Sequence, residues 1–196
     1  MRSIHNYIIS TQNRYNNKIN INKKELILNT EINERDHIFV NRIATVKSIP
    51  LDIKSPIQIG DEIIVHHNVF RKWIDVRGEE QNSRNFLSED TYFVAPDQVF
   101  AYKNNDEWKA TDGYCFVKPI YKDDKWALKT DENLKGELIY SDSNLDALNV
   151  LCGDIVGFTP DSEYEFTIEN QKLYRILSNH ITINYGRSQT KSNFSS

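Results

Sequence analysis

Cysteine is scarce, with only Cys115 and Cys152 among 196 residues. The two thiols form no CxxC pair and offer no disulfide framework, which excludes the class of small stapled secreted domains. Both lie in apolar runs typical of strands, where an unpaired thiol behaves as a small buried hydrophobe. We therefore expect two buried free thiols without a redox or metal role.

Long apolar runs are also missing. Residues 1–6 lack the apolar stretch of a signal peptide, and no run approaches the roughly 20 residues of a transmembrane helix. An apolar content of 39% still supports a packed core. We expect a soluble protein of a reducing cytoplasm. The abundance of Asn, Ile and Lys would suit an AT-rich genome, cellular or viral, including that of a phage, in which case the compartment is the host cytoplasm.

Neither sign of charge is in large excess, since 24 Lys and Arg face 28 Asp and Glu, giving a net charge of −4. Nucleic-acid-binding proteins usually carry a basic face, so we expect no nucleic-acid partner. Residues 69–77 mix basic and aromatic side chains as single-strand-binding surfaces do, but nearby acidic residues dilute the charge. An oligonucleotide-binding barrel is the weakest of three alternatives, and a subunit contact or the roof of a ring is another interpretation of this stretch.

Catalytic motifs are absent: the chain has no P-loop, no GxSxG, no HExxH and no defensible Cys–His arrangement. Its acidic pairs lie in polar loops, where solvated surface is the ordinary interpretation. His66 and His67 are adjacent on a predicted strand and should point to opposite faces, which does not suit a metal site. We expect no enzyme activity, no cofactor and no metal.

Short strands dominate what is present. Runs rich in β-branched and aromatic residues alternate with turn residues, and no long 3.6-residue period appears, which predicts an all-β chain of small barrels or sandwiches. One pattern occurs twice, because Gly60-Asp61 and Gly153-Asp154 each lead into a β-branched run. Glycine permits a tight turn and aspartate can accept hydrogen bonds from turn amides, so both corners are expected to be structural turns.

The repeated corner belongs to a longer repeat. Each half contains, in order, an opening strand, a polar loop with an apolar triplet, a second strand, the Gly-Asp strand and a closing strand–turn–strand. Residues 94–99 correspond to residues 176–181 in the closing segments. Agreement in the order of several features favours a tandem duplication.

This order resembles that of the GroES-type co-chaperonins, the ring-forming lids of large chaperonin ATPases. Besides the Gly-Asp strands, the resembling segments are Lys135-Gly136-Glu137-Leu138, an opening strand at residues 114–119 and closing segments at 94–101 and 176–183. Short motifs thus cover most of residues 5–185. The resemblance implies two tandem GroES-like irregular β-barrels, at 1–103 and 113–186, with a linker at 104–112 and a disordered tail at 187–196.

The resemblance also implies a mobile loop, at about residues 11–36, whose apolar tripeptide docks into a groove of the chaperonin. Leu26, Ile27 and Leu28 hold this position, although Lys and Glu stand where the family has glycines. The corresponding residues of the shorter second loop are Trp126, Ala127 and Leu128. The implied function is a homo-oligomeric ring that caps a GroEL-type chaperonin in its ATP-bound state and assists unfolded clients indirectly, with no nucleic-acid or membrane partner.

An apolar triplet in a polar segment has two interpretations. As a docking element it contributes roughly 1.5–3 kcal/mol per buried aliphatic side chain before ordering costs, and a ring multiplies the weak contacts through effective concentration. As an ordinary strand packed on its own barrel it would be fixed. The second interpretation suits a non-enzymatic viral structural or assembly protein that uses the same barrels for subunit contacts. For Trp126 the alternative is an aromatic in the core or over the linker.

Overall fold

The computed structural model describes residues 2–15, 18–21, 24–27, 40–121, 131–169 and 171–187. The chain divides into two compact units, Met1–Glu107 and Trp108–Ser196. The division falls within the expected linker at 104–112, part of which forms a strand. The predicted tail lies outside the described residues after Arg187.

The described segments up to Ala110 contain eleven strands and two 3-10 helices, and the last of these strands crosses the division between the two units. Seven of the strands form one sheet, and the other four form two separate antiparallel pairs. The strands are β1 (Tyr7–Ser10), β2 (Lys18–Ile21), β3 (Lys24–Ile27), β4 (Ile43–Ser48), β5 (Glu62–Val65), β6 (Trp73–Ile74), β7 (Glu80–Gln81), β8 (Phe86–Ser88), β9 (Thr91–Val94), β10 (Val99–Asn104) and β11 (Glu107–Ala110), with 3-10 helices at His67–Val69 and Pro96–Gln98.

The second half has a six-stranded sheet, one short α-helix and one 3-10 helix among its described residues. The elements are β12 (Tyr114–Tyr121), β13 (Asp131–Tyr140), α1 (Ser143–Ala147), β14 (Asp154–Phe158), β15 (Tyr164–Ile168), β16 (Gln171–Leu177), the 3-10 helix Ser178–His180 and β17 (Ile181–Arg187). The all-β prediction is confirmed at the level of class. Neither main sheet closes on itself over the described ranges, so the closed barrel stays a prediction.

The two main sheets share one strand order. The first runs β11-β10-β5-β4-β1-β9-β8 and the second, read from the corresponding end, runs β17-β14-β13-β12-β16-β15. The opening, second, Gly-Asp and closing strands therefore take the same places in both, and β11 is the one addition. A 3-10 helix joins the closing strands in each half, at Pro96–Gln98 and Ser178–His180. Residues 94–99 and residues 176–181, which were matched from the sequence, therefore occupy the same place in the two sheets.

Both Gly-Asp corners are turns, as predicted. Gly60 has a φ of 98° and Gly153 a φ of 92°, a region open to glycine at no steric cost. The amide of Gly60 donates to the carbonyl oxygen of Val46 at 2.9 Å, and that of Gly153 donates to the carbonyl oxygen of Leu138 at 2.7 Å. Each corner is therefore tied to the preceding strand of its own sheet.

The aspartates brace these turns in the way the sequence predicts. Asp61 Oδ2 accepts a hydrogen bond from the amide of Gln58 at 2.8 Å. Asp154 Oδ2 accepts one from the amide of Leu151 at 3.1 Å and another from Asn184 Nδ2 at 3.0 Å. The repeated sequence pattern therefore produces the same local geometry in both halves.

Each half has its own hydrophobic core. The first is formed by residues of β1, β4, β5, β9 and β10 with Phe70 and Val69, and the second by residues of β12, β13, β14, β16 and α1. Cys115 is buried in the second core, where burial, and secondarily the carboxylate of Asp142, raises the pKa of its thiol to about 12. Cys152 is exposed, which corrects the expectation of two buried thiols, because it lies in the turn before β14.

Candidate functional site

The predicted docking residues lie in a small sheet of their own. Leu26 and Ile27 are on β3, which pairs with β2 in a register that places Ile19 opposite Leu26 and Lys18 opposite Ile27. Leu28 lies outside the described residues. The β2–β3 pair lies between β1 and β4 in the sequence, and neither of its strands belongs to the main sheet. The segment expected to be a loop at 11–36 therefore contains paired backbone, located between the first two strands of the sheet.

The second candidate loop occupies the corresponding place in the other half. Trp126, Ala127 and Leu128 lie outside the described residues, in the connection from β12 to β13. These strands pair as far as Tyr121 opposite Asp131, so the connection starts directly from the ends of a hairpin. This connection has nine residues, 122–130, whereas the corresponding connection of the first half, from β1 to β4, has 32 residues, 11–42.

The chain leaves and rejoins the first sheet at one place around the β2–β3 pair. Tyr15 forms an antiparallel bridge with Val40, and the amide of Asn41 donates to the carbonyl oxygen of Arg14 at 2.9 Å. The side-chain amide of Asn41 also donates to Thr11 Oγ1 at 2.8 Å. The two ends of the insertion are therefore held together by backbone and side-chain bonds.

The same base is bonded to the segment that carries β6 and β7. Arg14 Nη1 donates to Asn82 Oδ1 at 2.7 Å, and Arg14 Nε donates to the carbonyl oxygen of Phe70 at 3.2 Å. The hydroxyl oxygen of Tyr15 accepts a hydrogen bond from the amide of Lys72 at 2.9 Å. These three bonds reach residues on both sides of the β6–β7 hairpin.

The β6–β7 hairpin presents an apolar tip. Trp73 is 54% exposed, Ile74 is 59% exposed and Val76 is fully exposed. The carboxylate of Asp75 holds the turn, and the hydrogen bond from the amide of Glu79 is the main cause that lowers the pKa of Asp75. Exposed apolar residues on a braced turn are typical of a contact surface.

The second sheet ends in an open strand. Within the described residues β17 is hydrogen-bonded to β14 only, whereas its counterpart β10 also has β11 on its outer side. Ile183 and Tyr185 on β17 are 49% and 51% exposed. An unpaired edge with exposed apolar side chains is a template for pairing with another strand.

The histidine pair differs from the sequence expectation. His66 and His67 do not point to opposite faces of a strand, because β5 ends at Val65 and a 3-10 helix begins at His67. Their rings stack with centroids 4.3 Å apart, and His66 Nδ1 accepts a hydrogen bond from the amide of Asn68. In the part of the chain that the structure describes, no group of three or more His, Cys, Asp and Glu is placed to hold a metal ion.

Only one α-helix occurs in the described ranges, and its five residues are too few to cross a membrane. Searches against protein-family models and against curated proteins find no match to the chain. Function must therefore be argued from the geometry of the chain itself. The residues that sequence reasoning missed are Arg14, Tyr15 and Asn41, which hold the base of the candidate docking element.

Proposed function

We propose that this chain is a co-chaperonin that assembles into a ring and caps a GroEL-type chaperonin in its ATP-bound state. The observation that carries the proposal is the shared strand order of the two sheets, combined with a two-stranded insertion between the first two strands of one of them. In this proposal each sheet is part of a GroES-like irregular barrel. The chain acts by binding alone, and ATP hydrolysis belongs to the partner.

Docking would proceed through the tripeptide that begins on β3. Burying three aliphatic side chains contributes roughly 1.5–3 kcal/mol each, less the free energy of ordering the segment. Several such elements on one ring would then bind together through effective concentration.

Weak individual docking suits a lid that must be released in each cycle. When bound, the docking elements would occupy grooves that otherwise hold apolar segments of an unfolded client. The client would then be displaced into a closed chamber. In the second half, Trp126, Ala127 and Leu128 are the candidates for the same role.

Assembly of the ring would use the open edge of β17. A strand from a neighbouring copy would pair with the backbone groups of β17 that have no partner within the described residues, and would pack against Ile183 and Tyr185. The strand order supports this role, because the counterpart β10 already has a neighbour on that side.

The test is co-sedimentation of the full chain with the chaperonin of its host, with and without ATP. We expect ATP-dependent binding that is lost in the variant Leu26→Ser/Ile27→Ser/Leu28→Ser. The matched control is Trp126→Ser/Ala127→Ser/Leu128→Ser, which removes the other apolar triplet. Binding that survives the first change and fails with the second would move docking to the second loop, and no binding in any nucleotide state would refute the function.

A second candidate is a viral structural or assembly protein whose units make subunit contacts without a chaperonin. The observation in its favour is that Leu26 and Ile27 lie on a paired strand. Amide hydrogen exchange separates the two functions, because a docking element that orders on binding exchanges fast in the free protein. Strong protection of residues 18–27 in the free chain would favour the structural role.

A further inference from the structure

The β2–β3 pair and the β6–β7 hairpin start from a shared base. The first insertion lies between Tyr15 and Val40, which form a bridge outside the main sheet. The second lies between Phe70 and Asn82, both of which accept hydrogen bonds from Arg14. One arginine therefore connects the roots of both insertions.

The position of Arg14 is fixed from several sides. Its guanidinium carbon lies 5.8 Å from the ring centroid of Phe86 and 5.6 Å from that of Tyr92, within range of a cation–π contact. Its carbonyl oxygen accepts the amide of Asn41, which belongs to the returning end of the first insertion. A planar guanidinium held in this way cannot rotate without weakening its bonds to Phe70 and Asn82 together.

Tyr15 provides a second connection, directly next to Arg14. Its hydroxyl accepts the amide of Lys72, the residue immediately before β6. Lys72 in turn forms an ion pair with Glu80 on β7, so the bond from Tyr15 reaches both strands of the hairpin. The distance along the chain is short, since β2 begins three residues after Tyr15.

We propose that Arg14 and Tyr15 couple the two insertions, so that ordering the β2–β3 pair also orders the β6–β7 hairpin. By reciprocity, fixing the hairpin orders the pair to the same extent. The coupling is a property of the free chain. Its use, which is to signal docking at Leu26 and Ile27 to the apolar tip at Trp73 and Ile74, rests on the proposed function.

The test orders one insertion and observes the other. Asn20 and Glu25 are directly opposite on β2 and β3, so Asn20→Cys/Glu25→Cys introduces a staple that can be closed by oxidation. Cys152→Ser removes the exposed native thiol. Amide hydrogen exchange of residues 73–81 is then measured in the oxidised and reduced full-length protein, with Arg14 intact and with Arg14→Gln.

With Arg14 intact, we expect closing the staple to slow exchange in the β6–β7 hairpin by about fivefold or more. The slowing should be smaller in Arg14→Gln, in which the bond from Lys72 to Tyr15 remains, and unchanged in Arg84→Gln, which alters an exposed arginine of the neighbouring segment. No slowing with Arg14 intact would overturn the proposal. Equal slowing in the protein with Arg14 intact and in Arg14→Gln would also overturn the proposal.

Arg14→Gln is judged unfolded if the amides of the buried residues Ile9 and Val46 exchange fast. In that case Tyr15→Phe provides the test instead. This variant removes only the hydroxyl that accepts the amide of Lys72. We expect it to reduce the effect of the staple, and an undiminished effect would contradict the coupling. Since no chaperonin is present in this experiment, its outcome is independent of the co-sedimentation result.

Discussion

Gly136 on β13 passes so close to Lys118 on β12 that a Cβ atom at position 136 would lie 2.5 Å from the Lys118 carbonyl oxygen. Backbone cannot yield as a flexible side chain can, so Gly136→Ala should force the two strands apart. We expect a loss of about 1–3 kcal/mol in the free energy of unfolding, measured by urea titration with circular dichroism. Gly157→Ala is the control, because its nearest neighbour is a ring atom of Tyr185 at 3.3 Å. Equal losses in the two variants would contradict the prediction.

The two corner aspartates should differ in their contribution to stability. Asp154 is buried and accepts hydrogen bonds from Leu151 and Asn184, whereas the less buried Asp61 accepts one from Gln58. Hydrogen bonds to a charged acceptor contribute about 1.5–3 kcal/mol each, and less where water competes. We therefore expect Asp154→Ala to reduce the free energy of unfolding by about 3 kcal/mol and Asp61→Ala by about 1 kcal/mol. A larger loss for Asp61→Ala in urea titrations would reverse the predicted order.

Cys115 should make the protein less stable at alkaline pH. Burial raises the pKa of its thiol to about 12, while the thiol of an unfolded chain ionises near pH 8.5, roughly. Between these values the folded state keeps a proton that the unfolded state loses, so stability falls as pH rises, by up to about 1.4 kcal/mol per pH unit. We expect Cys115→Ala to lower stability at pH 7.5 yet reduce this alkaline slope, as measured by urea unfolding from pH 7.5 to 10.5.

Val117→Ala is the matched control for that experiment. Val117 is buried in the same core on the same strand, and its truncation removes packing without removing a titrating group. Its stability loss should be nearly constant across the pH range. If stability falls with pH equally steeply in Cys115→Ala and in the wild type, the thiol of Cys115 is not the cause of the loss of stability at alkaline pH.

The open edge of β17 should determine the state of association. We expect the wild-type chain to sediment as an oligomer at micromolar concentration, and Ile183→Lys to shift it toward the monomer, because a charge on an edge strand opposes pairing. Leu148→Lys is the control, since Leu148 is also exposed but lies outside β17. A monomeric wild type, or an oligomer unaffected by Ile183→Lys, would contradict the role given to this edge.

Local patterns were the part of the fold that could be predicted from sequence. The aspartate of each Gly-Asp corner bonds to an amide three residues earlier, and the closing strand–turn–strand segments are also short, so local composition is enough to predict them. The helix α1 was not predicted, although Asp142 accepts the amide of Leu145 as a helix N-cap does. A helix of five residues leaves too short a pattern to stand out.

The base of the candidate site could not be predicted in this way. Arg14 bonds to Asn82 across 68 positions, and the residues between them give no sign of that partner. The pairing of Lys18–Ile21 with Lys24–Ile27 was also missed, because its residues are interspersed with Asn and Lys as in a loop. Long-range polar bonds and short strands in polar segments depend on contacts with the rest of the fold. The local composition of a segment therefore does not predict them.

The shared strand order of the two sheets has a consequence for how such a protein can evolve. Both halves are translated as one polypeptide, so they are always made in a one-to-one ratio without any recognition between separate chains. One half carries the long insertions at its first and third connections, and the other keeps shorter ones. Selection can therefore change the contact surfaces of one half while the other half keeps the shared strand order.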